Sequence, residues 1–452
     1  MKLSLSEISG VFPANVGTTN STIFIEEITT DSRKKVNKGL FIPIVGEQFD
    51  GHDFLKDAIY NGAIAALWQE KKEVPFFVPN DFPLFFVNDT ITGLQKLAQH
   101  YLQKIRPTVI GITGSNGKTT TKDLVYSVLQ NKYNTHKTQG NFNNHIGLPL
   151  TILSMPENTE ALILEMGMNN FGEISLLSGI SNPDYAIITN IGESHIEFLG
   201  SRGGIAKAKL EIIDGMSPQG KIIVDGDEPL LSNILKDISV IRCGFNPDND
   251  FVITDVNFED DHHSFTMVEN KFKLPLLGRH NVKNASYAIV LALQLGVSIE
   301  SIKDGLQRIE LTGMRLERMI GKNDTLIIND AYNASPTSMK AAIDTIKDYH
   351  HYKRKIIVLG DMYELGPNEE ALHRSVADVI SSPITDLITI GEKGKWISDE
   401  VRERGIPVNL YSFLRKEEAL PFITELLSPE TVILFKASRG AKLESLVTKL
   451  KQ

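Results

Sequence analysis

The sequence predicts an α/β protein of three domains: a central P-loop domain with a doubly wound, mostly parallel sheet, a smaller N-terminal α/β domain and a C-terminal Rossmann-like α/β domain. Three observations predict it. At 452 residues the chain is longer than one hydrophobic core usually serves. From its middle onward, β-branched runs alternate with amphipathic helical stretches, the pattern of a parallel sheet covered by helices. Most of those runs end in polar or Gly-rich loops, where such sheets hold ligands.

Taken in order, residues 1–104 read as short strands and loops with one or two helices. They close on "GLQKLAQHYLQKI", where Leu94, Leu97, Ala98, Tyr101, Leu102 and Ile105 recur at helical spacing. Pro107 disfavours a helical residue at Arg106 and sets the first boundary. Residues 105–313 open with the strand "TVIGITG", a glycine loop and the helical "KTTTKDLVYSVLQNKY". Two buried-type strands, "ALILEMG" and "YAIITNIG", follow. Then come a predicted strand pair, "FVITDVNF" with "SFTMVEN", and the helices "NVKNASYAIVLALQLG" and "SIKDGLQRI". The second boundary falls at "LTGMRLERM"; residues 314–452 repeat the strand-then-polar-loop pattern in "TLIINDAYN", "KIIVLGDM", "DLITIGEKG" and "TVILFKASRG".

Bulk properties exclude several classes. No apolar run reaches the ~20 residues of a membrane span, and "MKLSLSEISGVF" lacks the apolar core of a signal peptide. A net charge of −9 without any basic run argues against nucleic acid. The single cysteine, Cys243, rules out an internal disulfide framework and suits a reducing cytoplasm.

The chemistry centres on "GITGSNGKTTTK". Five residues separate Gly111 from Gly117, one more than the usual phosphate loop has. Counted from Gly114, the loop is Gly-Ser-Asn-Gly-Lys-Thr. In that count Lys118 reaches the outer phosphates and the Thr119 hydroxyl a Mg²⁺ ion. Glu165 stands at the end of the next strand, where a carboxylate can serve that metal, and His195 follows a third strand toward the same sheet edge. On the helix "GGIAKAKLEII", Lys207 reads as a solvated cation. "FEDDHHSF" (259–263) and "DYHHYK" read as solvated connections rather than metal clusters, and Trp68 and Trp396 as isolated aromatics.

With these residues in place, "TGSNGKTTTK" resembles the ATP loop of the Mur ligases, the amide-forming enzymes of peptidoglycan precursor synthesis. "GNFNNHIGLPLTIL", "LEMGMNNFGEI", "NIGESHIEFLGSRGGIAKAKLEI", "GRHNVKNASYA", "NDAYNASPTSM" and "LGDMYELG" are similar to the branch that adds D-alanyl-D-alanine to UDP-N-acetylmuramoyl-tripeptide. The resemblance runs essentially the whole chain, "TTDSRKKVNKGLFIPIVGEQFDGHDF" included. It implies that Gly114, Ser115, Asn116, Gly117, Lys118, Thr119 and Thr120 cradle ATP, and that Thr119 and Glu165 hold one Mg²⁺ while His195 helps hold a second. Lys209 matches a lysine that CO₂ carbamylates into a metal ligand. Asn281 matches an adenine contact, Arg315 a residue that reaches the phosphates, and Asp330 and Asn333 contacts to the nucleoside. Ser32 and Arg33 fall in the uridine-nucleotide part, Asn143 and Asn144 where the muramoyl peptide lies, and Lys436 and Arg439 near the dipeptide or its acyl acceptor. Gly313-Met314-Arg315 departs from the family's frequent Pro-Gly-Arg but retains the arginine. The resemblance further implies a cytoplasmic enzyme, working as a monomer on small molecules.

Two alternatives remain at this level. A Mur-type or folylpolyglutamate-type ligase adding one amino acid would share the loop but not "GNFNN" or "DAYNASP". A nucleotide switch or motor would share it too; a GTP switch needs Asn-Lys-x-Asp, and "NKYN" at 131–134 lacks the acid.

Overall fold

The computed structural model describes all residues except 21, 233–238 and 260–261. Among the described residues there are five sheets, covered by helices. The central sheet has seven strands, all parallel, in the order Phe251–Val252, Ser239–Gly244, Lys221–Asp225, Tyr185–Ile188, Thr108–Thr113, Ala161–Glu165, Thr135–Lys137. From Thr108–Thr113 the chain first runs outward on one side, to Thr135–Lys137 and back to Ala161–Glu165, and then crosses to Tyr185–Ile188 on the other. That reversal opens a crevice at the carboxyl end of Thr108–Thr113.

Burial explains the helices on its faces. In Lys118–Leu129, Leu124, Val125, Val128 and Leu129 are all buried against Ile110, Ile112 and helix Arg279–Gln294. The C-terminal sheet has six strands, parallel except for Glu317–Ile320 at one edge. The N-terminal part carries a five-stranded sheet, parallel except for Asn15–Val16, and the helix Thr90–Ile105. That helix lies on the central domain, its Tyr101 hydroxyl donating to the Met155 carbonyl at 2.9 Å.

Several expectations need correction. Three α-helices, not one or two, are described before residue 106. "FVITDVNF" is two strands: Phe251–Val252 closes the central sheet, and Thr254–Glu259 pairs with His262–Met267 in a separate antiparallel sheet. Asp260 and Asp261 of "FEDDHHSF" lie outside the described residues, but His263 is buried in the second strand, 2.9 Å from the Leu276 carbonyl, rather than in a solvated turn. Trp68 and Trp396 are not isolated; each packs edge-on to a histidine, His52 and His373. Helix Thr90–Ile105 ends with Arg106 in the left-handed region at φ 55°. Among the described residues no helix is long and apolar enough to cross a membrane.

Candidate active site

The surplus glycine is part of a strand. Gly111 pairs with Leu164 on one side and Ala186 on the other, so the loop proper starts at Gly114. A side chain at Gly114 is impossible: φ is 150°, and a Cβ would lie 1.8 Å from Thr189 Oγ1. Gly117, at φ 81°, opens helix Lys118–Leu129 without a side-chain cap. The first-turn N–H groups of that helix are thus left for an anion.

The loop is held from the next strand end. Asn116 N–H donates to Asn190 Oδ1 at 3.0 Å, and the Asn116 carbonyl accepts from Asn190 Nδ2 at 2.9 Å and from the Thr189 hydroxyl at 2.5 Å. Gly192 N–H donates to Ser115 Oγ at 2.8 Å. Lys118 folds over the loop, its ammonium 2.8 Å from the Gly114 carbonyl. Burial, assisted by Arg315, lowers the Lys118 pKa against the pull of Glu165.

Behind the loop, the Thr119 hydroxyl donates to Glu165 Oε2 at 2.8 Å and Asn143 Nδ2 to Oε1 at 2.9 Å. Glu165 is 3 % exposed. A hydroxyl and a fixed carboxylate side by side are the hard oxygen donors Mg²⁺ prefers. Among the described residues no three His, Cys, Asp or Glu side chains converge on one point. A metal here would therefore draw on substrate oxygens as well, as Mg²⁺ commonly does. The Lys209 side chain is buried in the same cavity wall and makes no hydrogen bond or ion pair with the described residues. Burial and the neighbouring Lys118 hold its pKa well below the usual lysine range. An uncharged amine is nucleophilic toward CO₂, and a carbamate at this position would supply oxygen donors an ammonium cannot.

The C-terminal domain closes the cavity, whose volume is about 810 Å³. Arg315 enters from the linker, its guanidinium 4.3 Å from the Tyr332 ring centroid and its Nε buried without a partner. Asp330 accepts from the Leu316 N–H at 3.2 Å and pairs with Lys436, which also donates to the Asn333 carbonyl at 3.0 Å. Across the interface the Thr337 hydroxyl donates to Glu193 at 2.7 Å. His195 Nδ1 lies 2.6 Å from Glu364 Oε2, off the line of an aligned hydrogen bond; His195 also holds the Glu364 carboxyl below its usual range. A second cavity, of about 240 Å³, adjoins this contact, lined by His195, Tyr332, Tyr363, Glu364, Ser438 and Arg439 among others.

Three models of Mur ligase domains match this chain: the "Mur ligase family, catalytic domain" over residues 24–101, the "Mur ligase middle domain" over 112–292, and the "Mur ligase, glutamate ligase domain" over 314–439. UDP-N-acetylmuramoyl-tripeptide–D-alanyl-D-alanine ligase of Bacillus subtilis is 48% identical over 94% of this chain and 93% of its own length. The chain belongs to the Mur ligase family. The Escherichia coli ligase of the same name is 31% identical over 100% of this chain and 99% of its own. The crystal structure of MurF from Acinetobacter baumannii superposes with a TM-score of 0.88 at 30% identity, covering 100% of this chain and 99% of that one. The MurF ligase of Thermotoga maritima, solved in complex with ADP, gives 0.82 at 27%, covering 94% and 96%.

The structure brings most of the Mur ligase residues anticipated from sequence to one cavity. Ser115, Asn116, Gly117, Lys118, Thr119, Thr120, Asn143, Asn144, Glu165, His195, Lys209, Asn281, Arg315, Asp330 and Asn333 all line it. Gly114 lies under the loop. Asn281 is tied to Asn284 at 2.9 Å on the helix beneath Gly117. Asn144 also has a structural task, its Oδ1 accepting from Gly147 N–H at the start of helix Gly147–Ser154. Ser32 and Arg33 line neither cavity; Arg33 is exposed and paired with Asp31. Lys436 and Arg439 part company: Lys436 lines the larger cavity and Arg439 the smaller.

Sequence reasoning missed Thr189 and Asn190, although both follow a strand that ends at the loop. It missed Tyr332, which meets two arginines distant from it in sequence, and Glu364, whose partner His195 lies in another domain segment. It also missed Asp123, fully buried, which accepts from Lys137 at 2.7 Å and from the linker's Thr312 N–H at 2.9 Å. No local signal marks such long-range pairs.

Proposed function

We propose that this chain is an ATP-dependent amide ligase joining D-alanyl-D-alanine to UDP-N-acetylmuramoyl-tripeptide, with ADP and phosphate as by-products. One observation carries the reading: a phosphate loop, a buried carboxylate, a buried lysine and a linker arginine meet in one interdomain cavity. End-to-end likeness to ligases of that name supports the substrate choice.

A carboxylate does not condense with an amine in water, because its oxygen is a poor leaving group. Here the tripeptide's terminal carboxylate attacks the γ-phosphorus of ATP, and ADP leaves. Lys118 and Arg315 stabilise the negative charge spreading over the transferring phosphoryl oxygens. The amine of D-alanyl-D-alanine then adds to the acyl phosphate carbonyl, the tetrahedral adduct expels phosphate, and an amide remains. Thr119, Glu165, carbamylated Lys209 and His195 suit two Mg²⁺ ions, which supply further charge neutralisation when bound. Asn281, Asp330 and Asn333 orient the nucleoside, Asn143 and Asn144 the muramoyl peptide, and Ser32 and Arg33 the uridine nucleotide. Arg439 in the second cavity meets the dipeptide carboxylate.

Domain limits of 1–104, 105–313 and 314–452 fit this division of labour. Hinges at Arg106 and at Gly313 are supported by the left-handed φ of 55° at Arg106 and 62° at Met314. Docking of the third domain excludes water from a hydrolysable acyl phosphate. All groups invoked come from one chain, which suits a monomer, and the substrates suit the cytoplasm, where ATP and UDP-linked precursors are made. The test is ADP release with UDP-N-acetylmuramoyl-tripeptide, with and without D-alanyl-D-alanine. Turnover should require both; turnover without the dipeptide, or with D-alanine or glutamate serving equally well, contradicts the reading.

A further inference from the structure

Two arginines share one aromatic ring. The guanidinium of Arg315 lies 4.3 Å from the Tyr332 centroid, and that of Arg439 lies 5.8 Å from the same centroid. Tyr332 is half-buried and lines both cavities, whereas Arg315 lines only the larger and Arg439 only the smaller. Among the described residues Arg315 has no ion pair, and its Nε is buried without a hydrogen-bond acceptor. The ring is therefore the group that fixes its plane. Arg439 is held more loosely, 3.2 Å from Glu444 and 3.5 Å from the Met314 sulfur, with its side chain 56% exposed.

The choice of an aromatic partner has a chemical consequence. A carboxylate would orient a guanidinium by occupying its N–H donors and cancelling its charge. A ring face attracts the cation without occupying its N–H donors, so the terminal nitrogens of Arg315 stay available to an oxyanion.

We propose that Tyr332 is a positioning residue that sets both arginines at once, Arg315 toward the phosphates in the larger cavity and Arg439 toward the carboxylate of the acceptor in the smaller. This rests on the assignment of the two cavities given above. It makes Tyr332 the point at which the activating and accepting halves of the reaction are aligned.

The test is steady-state kinetics of the full chain carrying Tyr332→Leu, Tyr332→Phe and Arg439→Met, alone and combined. Tyr332→Leu should raise the KM for D-alanyl-D-alanine and lower kcat, each by about tenfold, with Tm within about 3 °C of wild type. Tyr332→Phe keeps the ring and should recover most of both. In the Arg439→Met background, Tyr332→Leu should add nothing further to the dipeptide KM. The proposal is overturned if Tyr332→Leu leaves KM and kcat unchanged, if Phe fails as badly as Leu, or if the KM effect persists undiminished in Arg439→Met. Should Tyr332→Leu not fold, Tyr332→Met takes its place under the same criteria. A wild-type chain with no dipeptide-dependent turnover overturns the ligase reading instead.

Discussion

The phosphate loop and the linker around Arg315 face the same cavity but are held by different means. The loop is fixed within one sheet: hydrogen bonds from Thr189, Asn190 and Gly192 pin Ser115 and Asn116. The linker crosses between domains with Met314 and Leu316 both left-handed, at φ 62° and 49°. It is tethered to the central domain through Asp123 and to the C-terminal domain through Asp330. The contrast teaches that half of the site is held within one domain, as electrostatic stabilisation requires, while the other half depends on contacts between domains, where the proposed docking would act.

Four substitutions can break or sharpen that contrast. Replacing Lys118 by Met removes a charge from the half held within one domain and should cost kcat about 10³-fold, with little change in Tm. A loss under tenfold would show that the loop does not stabilise the transferring group. Asp123→Ala acts on the tether instead. It leaves Lys122 and Lys137, whose side chains are 1% and 16% exposed, without their shared carboxylate. Urea unfolding should show a loss of about 3 kcal/mol, and an unaltered midpoint would remove Asp123 from the architecture of the junction.

Lys209→Ala tests whether a buried amine has become a ligand. Activity should fall about 100-fold and return in part when short-chain carboxylates are added; full activity without them would exclude Lys209 from the site. The smallest effect belongs to the docking surface. Thr337→Val removes the hydroxyl that reaches Glu193, worth about 1 kcal/mol. Its signature should be a several-fold rise in apparent KM for ATP at constant Tm. A fall in Tm of many degrees would mean that the interdomain contact is a permanent part of the fold.

Legibility in the sequence divides along the same line. The parallel sheet, its loop and Glu165 were readable because each follows from a run of neighbouring residues: a β-branched strand, a Gly-rich turn, a helix with apolar spacing. Gly111 was separable from the loop by counting from Gly114, and its pairing with Leu164 and Ala186 agrees with that count. The half that depends on contacts between domains was less readable. Tyr332 lies in the quoted "DAYNASP", yet nothing in that segment says that arginines from two other segments rest on its ring. Glu364 and Asp123 likewise act on residues more than a hundred positions away. Strand Phe251–Val252 was fused with its neighbour because the turn of register at Ile253 carries no Gly or Pro.

The most direct test of the account is the fate of the carboxylate oxygen. UDP-N-acetylmuramoyl-tripeptide labelled with ¹⁸O in the terminal carboxylate that is activated would be turned over with ATP and D-alanyl-D-alanine, and the released phosphate weighed by mass spectrometry. Activation through an acyl phosphate predicts one ¹⁸O in each phosphate released. Unlabelled phosphate, with the expelled ¹⁸O recovered in water instead, would contradict it.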